Sequence, residues 1–162
     1  MYTIQKHLHY NAWANGKVAA LLANVDDKIF ETEVKSSFTS VKKTILHIWD
    51  AEAIWLTRLQ NGENKGWPSE NFTGTKEDLL RGYVKASEDF ISFIATKDRT
   101  YIESTVTYKN MKGVEFKSDV DEILSHVVNH GTFHRGQLVT MLRELGLTSF
   151  ESQDLIAYTR QL

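Results

Sequence analysis

Apolar residues recur every three or four positions along four long stretches of the chain, the period of helices that bury one face. The first stretch runs from Thr3 to about Asn24 and carries Ile4, Leu8, Ala12, Leu21 and Leu22. A Ser/Thr cluster (Ser36, Ser37, Thr39, Ser40) then offers side-chain oxygens to the free amides of a second helix, expected to reach about Asn61. Gly62, Gly66, Pro68 and Gly74 mark a loop, and Thr75 with Asp78 three residues later has the spacing of a capping box for a third helix. That helix carries Leu79, Leu80, Tyr83, Ala86, Phe90, Ile91 and Ile94 on one side. From Tyr101 to Lys117 the period shortens toward two around Lys109–Gly113, which predicts a β-hairpin. Ser118 is the expected cap of the fourth helix, with Asp119, Asp121 and Glu122 in a first turn where the helix dipole favours them. Gly146 is its expected stop, and Gln153–Leu162 forms a short closing helix.

These elements predict an all-α fold: a four-helix bundle with a small β-hairpin before the fourth long helix, residues 1–162 forming one domain. The connections before the second and fourth helices are long enough to cross the bundle, so simple up-down order is not required. A chain of 162 residues can bury roughly 70% of the surface its unfolded form exposes. It contains no Cys, which removes disulfides, thiolate ligands and a cysteine nucleophile, and any sulfur chemistry must come from a bound small molecule. The formal net charge of −2 gives no overall pull toward nucleic acid or anionic membrane. The opening MYTIQKHLHYNAWANG lacks the apolar run of a signal peptide and no later segment has the length of a membrane span, so a cytoplasmic location without membrane association is expected.

The candidate chemistry lies in histidines. In HisValValAsnHisGlyThrPheHis, residues 126–134, the i, i+4 spacing stacks His130 and His134 on one helix face, roughly 6 Å apart at Cβ. On a helical wheel whose core direction is set by Val120, Leu124, Val127, Gly131, Leu138, Leu142 and Leu145, His134 falls inside the stripe, His130 at its edge and His126 farther out. A bare HxxxH pair is more often a helix-edge pair than a metal site. A third histidine, His47, lies in a stretch of helix two so apolar all round that the wheel leaves its direction open. If the three converge, they make a three-nitrogen site with an open position, suited to zinc, nickel, copper or iron, with zinc or nickel expected. Asp50, Glu52, Asn129 and His126 are candidates to support the ligands, because ligating imidazoles donate their other N–H to an acceptor. Glu52 could equally pair with Arg58 or an arginine of another helix, and Arg135 with a carboxylate, either Glu52 or one on helix one. Gly131, costing a helix about 1 kcal/mol against alanine, implies close approach of another helix or a ligand. His7 and His9 read as surface residues. Trp13, Trp49, Trp55 and Trp67 could wall a pocket or pack the core.

TyrAsnAlaTrpAlaAsn at 10–15, HisIleTrpAspAlaGlu at 47–52, TrpLeuThrArgLeu at 55–59, HisValValAsnHisGlyThrPheHisArgGlyGln at 126–137 and AspLeuIleAlaTyr at 154–158 together resemble the DinB family over nearly the whole chain. The resemblance implies a metal held by one histidine of the second long helix and two of the fourth, which match His47, His130 and His134. It further implies the helix connectivity of that family, homodimers in many members, and a superfamily that includes enzymes using low-molecular-weight thiols. Two functions follow as expectations. One is a metal-dependent enzyme that transfers a small thiol to an electrophile, or a hydrolase, acting on a small-molecule substrate. The other is a non-catalytic dimeric stress-response protein with a structural metal. A DNA-binding role, suggested by the family's link to DNA damage, finds no basic stripe in the sequence.

Overall fold

The computed structural model describes residues 3–62 and 66–162. Its long helices are α1 (Thr3–Ala23), α3 (Val41–Leu59), α4 (Lys76–Ala95) and α6 (Val120–Glu144). The short helices α2 (Asp27–Glu31), α5 (Arg99–Ile102) and α7 (Leu155–Thr159) and a 3-10 turn at Pro68–Asn71 occupy the connections and tail. Strands β1 (Thr105–Lys109) and β2 (Glu115–Asp119) form the expected antiparallel hairpin just before α6, in register from Thr105 opposite Asp119 to Lys109 opposite Glu115.

Helix α1 packs against α4 and α6, and α3 packs against the same two, so α1 and α3 occupy opposite corners of the bundle. The connection through α2 and the one through α5 and the hairpin therefore each carry the chain across a diagonal. Only α3 and α4 are consecutive long helices that also lie side by side.

Several helix ends follow from the residues predicted to set them. Ser40 Oγ accepts the Lys43 amide at the start of α3, and Thr75 and Asp78 complete a reciprocal capping box on α4. Gly146, at φ +93°, lets the Leu147 amide reach back to the Leu142 carbonyl at 2.9 Å and closes α6. Ser118 differs from expectation: it lies within β2, and α6 starts after Asp119. Asp119 accepts a hydrogen bond from Thr105 Oγ1 instead of capping α6, while the Val120 amide donates to the Ser104 carbonyl. Tyr101, read as the start of the hairpin, belongs to the single turn α5, which Asp98 caps through the Tyr101 amide. A single turn carries no periodicity, and neither α5 nor α2 was visible as a pattern. The loop between α3 and α4 contains residues 63–65, which lie outside the described residues.

The buried side of α1 is not quite the one its apolar residues suggest. Leu8, Asn11, Ala14, Asn15, Val18 and Leu22 are all buried, whereas Ala12 is only partly covered. Two polar residues thus sit in the core stripe, and each helix supplies a match: Glu52 on α3, Tyr83 and Ser87 on α4, Arg135 on α6. Asn11 and Asn15 donate to Glu52 Oε1 at 2.8 and 2.9 Å, and Ser87 Oγ donates to Glu52 Oε2 at 2.7 Å. Arg135 Nη1 donates to Asn11 Oδ1 and Asn15 Oδ1, both at 2.7 Å, and the Tyr83 hydroxyl donates to Asn15 Oδ1. Arg135 and Glu52 are therefore joined through two asparagine amides of helix one, not by direct contact. Gly131 belongs to the same arrangement. A Cβ there would stand 2.6 Å from Asn11 Oδ1 and 2.8 Å from Arg135 Nη1, so the close approach its presence implied is that of α1.

This polar layer separates two apolar clusters. Toward one end of the bundle lie Leu8, Ala14, Leu59, Phe90, Ile94, Ile123, Leu124 and Val127; toward the other lie Val18, Leu22, Ile45, Ile48, Leu79, Leu138 and Leu142. Replacing Arg135 with Met should leave Glu52 buried without its cation and cost about 3–5 kcal/mol in urea denaturation. The double variant Glu52→Leu/Arg135→Met should lose less than the sum of the single changes, by at least about 1 kcal/mol. Additive losses would show that the two charges do not act through one network.

Candidate metal centre

His47 sits in the N-terminal half of α3, and His130 and His134 are one turn apart on α6. The two helices run antiparallel at this seam: His47 meets His130 and His134, while eight residues further along α3 Trp55 meets His126, farther back on α6. The ring centroids of His47 lie 4.8 Å from His130 and 4.6 Å from His134, and those of His130 and His134 lie 4.4 Å apart. One nitrogen from each of the three lies within 4.8 Å of the others, a spacing that could hold one ion.

The ring nitrogens face one another. His47 Nε2 and His130 Nε2 are 2.9 Å apart, so in the metal-free protein one donates its proton to the other, and that proton must leave before both nitrogens can hold one ion. His134 Nδ1 lies 2.7 Å from Gln137 Oε1, an acceptor that fixes the proton on Nδ1 and frees the Nε2 lone pair. The Gln137 amide in turn reaches Ser37 Oγ at 3.4 Å. Phe38, in the segment before α3, stacks on His47 with centroids 4.0 Å apart and presents its edge to His134 at 5.5 Å. Phe38 and Gln137 were not singled out from the sequence as supports. The signal for Gln137 is its i, i+3 spacing from His134; Phe38 lies in an irregular segment with no periodic signal.

Burial lowers all three imidazoles, to about 4 for His47 and about 3 for His130, with the neighbouring histidines adding to the effect. His134 is also lowered by burial, against an opposing contribution from Gln137. At neutral pH the three rings are held neutral, the form a metal requires.

The other candidate residues lie elsewhere. Asp50 accepts hydrogen bonds from the Ser69 amide and hydroxyl and ties the 3-10 turn to α3. Glu52 belongs to the buried polar layer and meets neither a histidine nor Arg58. Asn129 and His126 are exposed, and the His126 ring, 5.7 Å from that of His130, stands outside the group of three. An acidic residue near a histidine in sequence can project elsewhere: here Glu52 reaches α1 and α4, and Asp50 the 3-10 turn. Of the four tryptophans, Trp55 borders the histidine row and Trp49 packs on Phe72 and over Gly82.

The chain belongs to the DinB family, whose model matches residues 1–159. Protein DinB of Bacillus subtilis (strain 168) is 28% identical over 151 residues, covering 89% of this chain and 87% of that protein. Among solved structures, a DinB-like protein of Bacillus cereus ATCC 10987 superimposes with a TM-score of 0.68 at 16% identity, covering 89% of this chain and 91% of its own. A DinB-like protein of Bacillus subtilis gives the same TM-score at 14% identity, covering 94% and 99%. These structures share the fold. No helix among the described residues is long and apolar enough to cross a membrane.

The lowered imidazoles set a pH response for the metal-free protein. In the unfolded chain they titrate near 6.5, above their folded values, so the unfolded state binds more protons as pH falls. Stability should be constant with respect to these groups above about pH 6.5 and decline from there toward pH 4. Urea midpoints measured in chelator at pH 7 and pH 5 should show the loss, and His130→Gln should flatten it. An unchanged slope in that variant would remove His130 as a source.

Proposed function

We propose that this protein is a metal-dependent enzyme whose ion is held by His47, His130 and His134, with one or more coordination positions left for a substrate. The observation that carries the reading is the convergence of three neutral, half-buried to buried imidazole nitrogens, with no carboxylate or thiolate in the group. A three-nitrogen donor set suits zinc or nickel and leaves the ion unsaturated. A metal bound there would lower the pKa of an incoming thiol or water and supply a nucleophile at neutral pH. The chain's own part is to hold the three rings neutral, to fix the His134 tautomer through Gln137, and to cover one side of the site with Phe38. The proposed reactions are transfer of a low-molecular-weight thiol to an electrophile, consistent with a chain that has no cysteine of its own, or hydrolysis. A cytoplasmic homodimer acting on a small-molecule substrate completes the proposal.

A second reading takes the ion as a staple only, in a stress-response protein without turnover. It draws on the placement of the three histidines, which would join α3 to α6 along their shared seam. It expects His47→Ala to lower Tm and to abolish no reaction.

Elemental analysis of protein purified without a histidine tag should find about one zinc or nickel per chain, and His130→Ala should lose most of it. Equal metal content in the two would take His130 out of the site. Loaded protein should accelerate thiol conjugation or ester and amide hydrolysis in a substrate panel, and chelation should abolish that activity. Failure across the panel with metal bound would favour the staple.

A further inference from the structure

Past the histidines, the α3–α6 seam continues as a strip of rings toward the hairpin. The His126 ring lies 5.7 Å from His130 and 5.4 Å from Trp55, and Trp55 lies 5.1 Å from Tyr108 on β1. Arg58 stands at the end of the strip, its guanidinium carbon 4.5 Å from the Trp55 ring centroid and 5.0 Å from that of Tyr108. His47 and Arg58 are eleven residues apart on one helix, close to three full turns. They therefore share a side of α3 and are separated by about 16 Å along its axis. A cavity of about 400 Å³ opens here between the end of α3 and the hairpin, lined by Arg58, Thr57, Asn61, Tyr108, Lys109 and Glu115 among others.

Arg58, like Lys97 and Arg143, is a cation held over aromatic rings. Arg81 and Arg99 are paired with acids, and Arg135 is bound into the polar layer. Among the described residues no carboxylate lies within ion-pair distance of Arg58. Its surroundings are instead aromatic, and burial works against its charge, a cost that an incoming anion would offset. Two rings hold the planar group in place, so a carboxylate could meet it with two parallel hydrogen bonds at little cost in ordering. Lys109 and Glu115, opposite one another on the hairpin, together add no net charge to the cavity wall, which leaves Arg58 to neutralise a single anion.

We infer that Arg58, flanked by Trp55 and Tyr108, anchors the carboxylate of an elongated, singly charged small molecule whose far end lies at the three histidines. The far end rests on the metal reading given above; the carboxylate anchor does not. Trp55 and His126 would flank the stretch between the two ends, a wall suited to an apolar or aromatic linker.

The anchor is tested first without metal. In metal-free protein, titration with octanoate should move the indole N–H resonance of Trp55, the ring on which the Arg58 guanidinium lies, saturably in NMR spectra. The uncharged octanamide should not, and Arg58→Gln should lose the response. No shift, an equal shift with octanamide, or a response that survives in Arg58→Gln overturns the proposal. The span is tested with cobalt-loaded protein, reading the near-ultraviolet absorption of thiol ligation. There 11-mercaptoundecanoate should bind about tenfold tighter than 11-mercaptoundecanol, as a charge-assisted hydrogen-bonded pair allows, and Arg58→Gln should erase the difference with cobalt content unchanged. The short 3-mercaptopropionate should show no dependence on Arg58. An octanoate response in a protein that takes up no cobalt would uphold the anchor while removing the metal reading. Equal affinity for the long acid and the long alcohol, with cobalt and thiol both bound, would sink the span.

Discussion

The buried polar layer at mid-height is the constraint on which the bundle depends. A fully buried carboxylate and a fully buried guanidinium are each too costly to leave alone in an apolar interior, and here neither touches the other. The two asparagines of α1 supply the link, presenting their amide nitrogens to Glu52 and their oxygens to Arg135. A rotation of α1 about its axis, or a slide along it, would break bonds to three other helices together. The apolar clusters on either side could tolerate other registers, since leucine and isoleucine packing is weakly directional, but hydrogen bonds are not so tolerant. Burial pushes the Glu52 carboxyl above its ordinary range against the pull of its three donors and of Arg135, a sign of how closely balanced the layer is.

The layer also sets up the histidine site. Arg135 follows His134 directly, and Gly131 follows His130, so the residues that lock α6 against α1 alternate along the helix with those that face α3. One face of α6 is fixed by the network, and the other then presents two imidazoles at a settled height. His47 is five residues before Glu52 on α3, and the same network fixes its position along the seam.

The bundle, the hairpin and the placement of three of the four histidines on α3 and α6 could be read from periodicity and spacing. The wheel of the last long helix ordered His134, His130 and His126 from inside to outside, and the structure has them buried, half-buried and exposed. His47 could not be oriented in the same way, because apolar residues surround it on its own helix and the direction is decided by which neighbours pack on each side. The reading failed most for Asn11 and Asn15. Polarity alone argues against burial, and only their i, i+4 spacing within the stripe from Leu8 to Leu22 pointed inward. Glu52 and Asp50 were legible as unusual residues in an apolar helix, but their partners come from α1, α4 and the 3-10 turn, contacts that a one-dimensional pattern does not encode.

The diagonal connectivity bears on how the site is assembled. His47 and His130 are 83 residues apart, and everything between them, a loop, a long helix, a turn and a hairpin, must be made before they can meet. A nascent chain with only its first three long helices synthesised holds one of the three imidazoles of the cluster, a weak grip. An ion held by the three histidines would therefore be acquired at the last stage of folding, when the final long helix docks. An ion present during synthesis could reward that closure without directing the steps that come before it.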